Sequence, residues 1–248
     1  MGVRLATGDE LGADCVISAA NPRTTLLGML GPEHLDTAFV RRLRNIRMSG
    51  NAAKLHLALE GVPEFTNLDR LHLDGRLVIA PSVDYVERAF NPAKYGQHSA
   101  QPVVELTIPS IADPTLAPAG KHVISAVVQY APYAPSIDWD NAREPFGDLV
   151  VDLLAQYAPT IKDQIMSTQV LTPVDLEERF RLPGGHWHHG ELSLDQMLML
   201  RPVPGAAQYA TPVRGLYLCG AGSHPGGGVM GAAGMNAASR VLELESKI

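Results

Sequence analysis

The chain has 248 residues, of which 46% are hydrophobic, and a formal net charge of −6. This length and composition allow a substantial core and fit one large domain or two small ones. The acidic balance argues against nucleic acid as a main partner, and the sequence contains neither a signal peptide nor an apolar run of about 18 residues that could span a membrane. We therefore expect a globular, cytoplasmic protein.

The predicted elements, taken along the chain, indicate an α+β fold. A β-hairpin is expected over residues 3–11, around the Thr7-Gly8-Asp9 turn. Further strands are expected over 53–59, 77–80, 103–108, 122–129 and 165–171, and helices over 24–30, 32–47, 83–94 and 143–157. The run 122–129 is almost continuously apolar, which favours a central strand. This order of elements favours a mixed sheet layered with helices.

The C-terminal region contains a strand, a glycine-rich loop and a helix in succession. The apolar run Gly215-Leu-Tyr-Leu-Cys219 precedes a loop with six glycines, and a helix is expected from about Val229. Glycine lets a ligand approach the backbone amides, and the unpaired N–H groups of a first helical turn favour anionic or electron-rich groups. A cofactor contact is one interpretation, and a glycine-rich connection without a ligand is the other.

Three ordered segments resemble one family. Residues 215–238, GLYLCGAGSHPGGGVMGAAGMNAA, resemble the C-terminal flavin motif of the phytoene-desaturase-like FAD oxidoreductases. Residues 184–202 resemble the GG…HG…LSLDQ…RP segment that precedes the flavin strand in that family. Residues 13–22, ADCVISAANP, are similar to the strand that returns from its flavin domain to its substrate domain. The resemblance covers essentially the whole chain and maps it onto the C-terminal half of a larger enzyme.

The resemblance implies a division of the chain. Residues 1–22 correspond to partial flavin-domain strands, 23–212 to a substrate-binding domain, and 213–248 to the strand, loop and helix that contact the flavin. The family's N-terminal βαβ unit with GxGxxG has no counterpart before Ala13. We therefore expect a truncated form, a split-gene subunit or a relic of such an enzyme.

The implied activity is FAD-dependent dehydrogenation or desaturation of a small apolar substrate, with hydride transfer to the flavin. The alternative is a non-catalytic binding or assembly module that lacks its own dinucleotide-binding half. In either case the expected complement is a separate N-terminal FAD-binding subunit or a second copy of the chain.

The predicted site residues come from the glycine loop and from the segment before it. His189 is the predicted polar contact near the reacting centre, in a loop that the resemblance places over the flavin ring. The predicted flavin contacts are Gly220, Ala221, Gly222, His224, Gly227, Gly228, Val229, Met230 and Gly231.

Other polar residues receive more ordinary interpretations. His186, His188 and His189 could suggest a metal, but adjacent residues on an extended chain point to opposite faces and no Cys or carboxylate completes a ligand set, so no metal is expected. Ser193 is predicted to cap a short helical turn. A solvated helix face without function is expected for Arg41, Arg42, Arg44 and Arg47.

Overall fold

The computed structural model describes residues 2–134, 136, 138–228 and 230–245. Its class is α+β, as predicted. The strands are β1 (Gly2–Arg4), β2 (Glu10–Gly12), β3 (Val16–Ser18), β4 (Ala53–Glu60), β5 (Leu77–Ile79), β6 (Val103–Thr107), β7 (Lys121–Gln129), β8 (Ile165–Leu171) and β9 (Leu216–Leu218). The α-helices are α1 (Thr37–Arg44), α2 (Val83–Phe90), α3 (Pro109–Ala112), α4 (Trp139–Ala155), α5 (Ile161–Gln164), α6 (Pro173–Phe180) and α7 (Ala232–Glu245).

The chain forms two compact units. The terminal unit comprises Met1–Ser49 and His186–Ile248, and the central unit comprises Gly50–Gly185. These boundaries differ from the predicted ones after residues 22 and 212. The reason is that apolar side chains from both sides of each predicted boundary pack together. Val16 packs against a core that contains Leu26, Phe39, Leu43, Val203, Leu216 and Leu218. The roles of the two units in flavin and substrate binding stay predictions.

The central unit is built on a five-stranded sheet with the order β5-β6-β7-β4-β8. Every neighbouring pair in this sheet is antiparallel, so the prediction of a mixed sheet is corrected. The apolar strand β7 is central, as predicted. Along β4, strict alternation buries Leu55, Leu57 and Leu59, because successive side chains of a strand point to opposite faces.

Helix α4 covers one face of that sheet. Its residues Phe146 and Val150 are buried in the sheet's hydrophobic core. A Cβ built at Gly147 would lie 2.9 Å from Cγ2 of Val170 on β8, so glycine allows the helix to approach closely. The helix begins at Trp139, four residues earlier than predicted, because the Asp138 side chain accepts a hydrogen bond from the Asp140 amide at 3.3 Å.

The terminal unit contains two short sheets. The predicted hairpin forms between β1 and β2, and β3 pairs in parallel with β9. The predicted helix over 32–47 is divided, because the extended residue Asp36 caps a new helix, α1, by accepting from the amides of Ala38 and Phe39 at 2.9 and 3.2 Å. No helix within the described ranges is long and apolar enough to cross a membrane.

Candidate functional site

The first part of the glycine loop packs against the chain that follows β3. The Cys219 amide donates to the Ser18 carbonyl at 2.9 Å, which extends the parallel pairing of β3 and β9 into the loop. A Cβ built at Gly220 would lie 2.1 Å from the Ala19 carbonyl oxygen, and one at Gly222 would lie 2.4 Å from Cδ of Pro22. Glycine is therefore required at both positions by packing, independently of any ligand.

The second part of the loop faces outward. Gly228 and Gly231 are exposed and have φ values of 139° and 66°, and Met230 is 70% exposed. The amides of Gly227 and Gly228 donate to no described residue. This part of the loop therefore combines the backbone freedom of glycine with amides that a ligand could reach.

Two predictions about this loop need correction or restriction. Helix α7 begins at Ala232, whereas the sequence predicted a start near Val229. The Gly231 carbonyl accepts from the Met235 amide at 3.0 Å, so Gly231 stands at the start of the helix. Val229, a predicted flavin contact, lies outside the described residues.

The structure brings the predicted histidine loop against the glycine loop. A Cβ built at Gly222 would lie 3.4 Å from Cβ of His189, and one at Gly227 would lie 2.9 Å from Nδ1 of His188. His189 itself has a φ of 58°, and its amide donates to the His186 carbonyl at 2.9 Å in a tight turn. The two segments that the resemblance singled out are therefore adjacent in this unit.

Several polar atoms at this junction are buried without a partner among the described residues. They are the Nδ1 atoms of His186, His188, His189 and His224 and the Oγ of Ser223. Buried polar atoms of this kind are rare in folded proteins and call for a ligand, a water or an ion. Within the described part of the chain, no group of three or more His, Cys, Asp or Glu side chains is arranged to hold a metal ion.

Burial lowers the pKa of His186, His188 and His189, so these three imidazoles are uncharged near neutral pH. The pKa of His186 falls to about 4, mainly through burial and to a smaller extent through the neighbouring His188. Burial also lowers the pKa of His189, to which the positive charge of Arg201 and then His188 contribute. A neutral imidazole has one donor and one acceptor nitrogen, so these side chains could contact a ligand without adding charge to the site.

His224 is linked to helix α7 through its backbone. Its carbonyl accepts from the Tyr209 hydroxyl at 2.9 Å, and that hydroxyl accepts from Nδ2 of Asn236 at 2.8 Å. Because Asn236 lies on α7, the chain of hydrogen bonds ties the middle of the glycine loop to the helix that follows it. The position of His224 is thus fixed by a tertiary contact.

Arg201 connects the histidine loop with the glycine loop. It is only 3% exposed, and its guanidinium donates to five backbone carbonyls. One of them, the Ala221 carbonyl, accepts from Nε at 3.2 Å and from Nη2 at 2.9 Å. The others belong to His188, Gly190, Glu191 and Gln196. The carbonyl dipoles compensate the buried charge, and the planar guanidinium holds the segments in one arrangement.

Arg47 holds the segment between these loops from the outside. Its guanidinium contacts Glu191 Oε2 at 3.0 Å, Ser193 Oγ at 2.8 Å and Asp195 Oδ1 at 2.7 Å. The hydrogen bonds of Arg47 keep the pKa of the Asp195 carboxyl well below its usual range. The Gln196 side chain bonds both to the amide and to the carbonyl of Arg47, at 2.7 and 3.0 Å.

These contacts correct two sequence interpretations. Arg47 lies beyond the end of α1 and binds the 191–196 segment, so it does not belong to a solvated helix face. Ser193 precedes a 3₁₀ turn, but its side chain makes no capping hydrogen bond and accepts from Arg47 instead. The role of Arg201 was missed. Its signal in the sequence is a single arginine between the apolar residues 197–200 and 202–204, where a charge needs buried partners.

Comparison with known proteins identifies the family of the chain. The model of the family described as flavin containing amine oxidoreductase matches residues 1–242. The chain belongs to this family. Within it, pyridine nucleotide-disulfide oxidoreductase domain-containing protein 2 of Mus musculus is 41% identical over 257 residues, covering 97% of this chain and 43% of the relative.

More distant relatives are named as phytoene desaturases. The neurosporene-forming phytoene desaturase of Cereibacter sphaeroides is 29% identical, over 94% of this chain and 44% of the desaturase. A lycopene-forming phytoene desaturase of Pseudescherichia vulneris is 30% identical, over 98% of this chain and 47% of the desaturase. The chain thus spans less than half the length of these curated relatives.

A solved structure shares the fold. An oxidoreductase from Methanosarcina mazei aligns with a TM-score of 0.53 at 19% identity, over 95% of this chain and 44% of that one. At this identity the likeness concerns the fold alone. The resemblance to phytoene-desaturase-like proteins that the sequence motifs indicated is confirmed at the level of the family.

Proposed function

We propose that this chain supplies the flavin-contact loop and the substrate-binding domain of an FAD-dependent oxidoreductase that acts on an apolar substrate. Family membership supports a flavin. The observation that carries the proposal is the outward part of the glycine loop. There, exposed glycines with free amides lie beside a loop of partly buried, unpaired histidines. We place the substrate-binding role in the central unit.

The residues of the site fit a flavin on geometric grounds. A side chain at Gly228 or Gly231 would be strained because both have positive φ, and the Cβ position at Gly231 has no protein atom within 4 Å. The amides of Gly227, Gly228 and Gly231 would bind electron-rich atoms of the ring or the ribityl phosphate. When bound, the flavin would accept a hydride from a C–H bond of the substrate.

The protein's own contribution is orientation. His189, kept neutral by burial, would contact the reacting region as a hydrogen-bonding group without adding charge. Arg201 acts as a positioning residue, since its donors are directed at the carbonyls of both loops. Gly220 and Gly222 would contribute indirectly. Because they lack a Cβ, the loop can pack closely against residues 19–22 and present its outward part to the ligand.

We also propose that a dinucleotide-binding half completes the site. Among the described strands, β3 pairs with β9 alone, and Ile17 on β3 is 45% exposed. A two-stranded sheet is marginal by itself, which favours further strands beside β3. The part of the relatives that lies outside the aligned region, more than half of their length, is large enough to supply them. A second copy of the chain could cover the same edge of β3 but would not supply a dinucleotide-binding half.

The alternative function is a non-catalytic binding or assembly module. Apolar side chains in the 192–199 segment favour this alternative, because Leu194 is 91% exposed and Met199 is 79% exposed. Exposed apolar side chains that lie close together mark interaction surfaces more often than chance would give. In that case the chain would dock onto a partner without ever holding flavin.

Flavin retention is the first test. We expect the chain, alone or with a dinucleotide-binding half supplied as a second polypeptide, to keep an absorption band near about 450 nm after dialysis against buffer without FAD. Gly228→Val should abolish this band without unfolding the terminal unit, because the branched side chain cannot adopt a φ of 139° and its Cβ would meet Met230 Cε at 3.1 Å.

Gly234→Ala is the matched control. Gly234 lies on helix α7, and a Cβ there meets no atom within 4 Å, so this variant should retain the flavin of the wild type. Unchanged flavin content in Gly228→Val would refute the assignment of the loop. A colourless wild type in every combination would favour the assembly module.

A further inference from the structure

One buried tyrosine contacts both ends of the outward part of the glycine loop. The Tyr209 hydroxyl donates to the His224 carbonyl at 2.9 Å, just before this part of the loop begins. The same hydroxyl accepts from Nδ2 of Asn236 at 2.8 Å, on helix α7. A single hydroxyl group therefore bonds to the chain before the free amides of Gly227 and Gly228 and to the helix after them.

Tyr209 is itself held in place by strand β9. Its carbonyl accepts from the Leu218 amide at 2.8 Å, and the next residue, Ala210, forms an antiparallel β-bridge with Tyr217. Tyr209 is only 9% exposed. The outward part of the loop is thus tied to the strand that precedes it through a buried side chain.

The backbone of Tyr209 is strained. Its φ is 68°, in the left-handed region that a bulky side chain rarely adopts. Such a conformation costs free energy and persists only where the surrounding structure enforces it, and residues of this kind are concentrated at ligand sites. Glycine would adopt the same φ without strain, but it has no hydroxyl group. The tyrosine therefore supplies hydrogen bonds that an unstrained glycine could not make.

Holding both ends of the outward part reduces its freedom before a ligand binds. Gly228 and Gly231 have positive φ, and glycine loses more conformational entropy on ordering than any other residue. If the ends are already fixed, less of this cost has to be met when the ligand binds, and the affinity is higher. Arg201 acts on the first part of the loop through the Ala221 carbonyl, so the two side chains hold different parts.

We propose that Tyr209 is a positioning residue for the flavin site. Its hydroxyl keeps the amides of Gly227, Gly228 and Gly231, the outward glycines, in the arrangement that binds the flavin, and it acts through the loop rather than on the reacting atoms. The inference rests on the proposed function, because it assigns a role in that site. The effect of Tyr209 on the loop can be measured without flavin, which separates the two.

The first experiment measures the mobility of the loop in the flavin-free chain. Backbone amide order parameters of the outward glycines, obtained from NMR relaxation, should be near about 0.85 in the wild type and fall below about 0.6 in Tyr209→Phe. Gly220 and Gly222 are internal references, because both pack against residues 19–22 and should stay rigid in both proteins.

The second experiment measures FAD binding to the chain, alone or with the dinucleotide-binding half supplied as a second polypeptide. Tyr209→Phe should raise the dissociation constant of FAD about tenfold, the equivalent of about one net hydrogen bond. Asn236→Ala should have a similar effect, although alanine favours a helix more than asparagine does. The double variant should bind no more weakly than Tyr209→Phe, because both changes break the same connection.

Thr211→Val is the matched control. Thr211 lies two residues from Tyr209, and its hydroxyl donates to the Val213 carbonyl and accepts from the Val213 amide, both at 3.1 Å, so its hydrogen bonds stay within its own turn. This variant should bind FAD as tightly as the wild type to within about twofold. Urea unfolding followed by Trp187 shows whether the terminal unit of each variant is folded.

Three results would overturn the proposal. They are unchanged order parameters of the outward glycines in folded Tyr209→Phe, FAD binding by this variant as tight as that of the wild type, and equal losses of affinity in Tyr209→Phe and Thr211→Val. A wild type that retains no flavin in any combination would instead contradict the proposed function. Outward glycines that become mobile in Tyr209→Phe would, even then, support the ordering of the loop by Tyr209.

Discussion

The two compact units differ in how the backbone hydrogen-bonding groups inside each of them are satisfied. In the central unit, four antiparallel strand pairs satisfy the backbone, and alternating leucines, valines and isoleucines form the core. In the terminal unit, the 186–201 segment has no strand. Four of its carbonyls, those of His188, Gly190, Glu191 and Gln196, accept hydrogen bonds from the side chains of Arg201 and Gln196. Where no ladder is available, a buried side chain must supply the donors that the backbone needs.

The comparison also explains where a ligand site can form. In a regular sheet the backbone amides are already hydrogen-bonded to neighbouring strands. A ligand of the central unit would therefore meet mainly the side chains of a sheet face. An irregular loop held by one arginine leaves some amides and imidazoles unpaired, and these can turn to a ligand. The cost is that a large part of the loop depends on a single side chain.

The largest expected effect is that of removing this side chain. Arg201→Met would leave several buried carbonyls without donors, and we expect the free energy of unfolding of the terminal unit to fall by about 3 to 5 kcal/mol. Each unit contains one tryptophan, Trp187 in the terminal unit and Trp139 in the central one, so urea unfolding can be followed for each in a background that keeps only that tryptophan.

Arg214→Met is the control for this prediction, because Arg214 is an exposed arginine of the same unit. The free energy of unfolding of this variant should equal that of the wild type to within about 0.5 kcal/mol. If Arg201→Met were as stable as this control, the contrast between the two units would not hold.

Truncation of a core side chain tests what stabilises the central unit. Leu57 is completely buried in the middle of the central sheet, and Leu57→Ala should cost about 3 kcal/mol through lost burial and the cavity that remains. Val78→Ala, at an exposed position on the edge strand, should change the stability by less than about 0.5 kcal/mol. Urea unfolding followed by Trp139 measures both, and equal losses would argue against the assigned core.

A smaller effect is expected from pH. The pKa of His186 is lowered to about 4 in the folded protein and has an ordinary value of about 6.5 when unfolded. Between these values the unfolded chain binds a proton that the folded one does not, so stability is full above about pH 6.5 and decreases as the pH falls towards 4. We expect a loss of about 1 to 2 kcal/mol, below the full value of the shift because the ring is partly exposed.

The measurement compares the pH dependence of unfolding in wild type and His186→Gln. The variant should lose this component, whereas His34→Gln, at an exposed histidine of the same unit, should keep it. Identical pH profiles for wild type and His186→Gln would show that the imidazole is not held in its neutral form by the fold.

Sequence patterns predicted the central unit well. The alternation of polar and apolar residues in 53–59 and the apolar run of 122–129 identified β4 and β7, because period and composition are local properties. Helix bounds were less accurate. Asp36 and Asp138 act as caps only because the chain is extended there, and so α1 and α4 begin at other residues than their apolar patterns predicted.

What the sequence by itself determined was the class of fold, the family resemblance and the glycine loop, since these depend on residue type and order. The tertiary structure alone decided which glycines pack against the chain and which face outward, and it made Arg201 the link between the loops. The physical reason is that burial and hydrogen-bond partners come from segments far apart in the chain, whereas periodicity and turn chemistry act within a few residues.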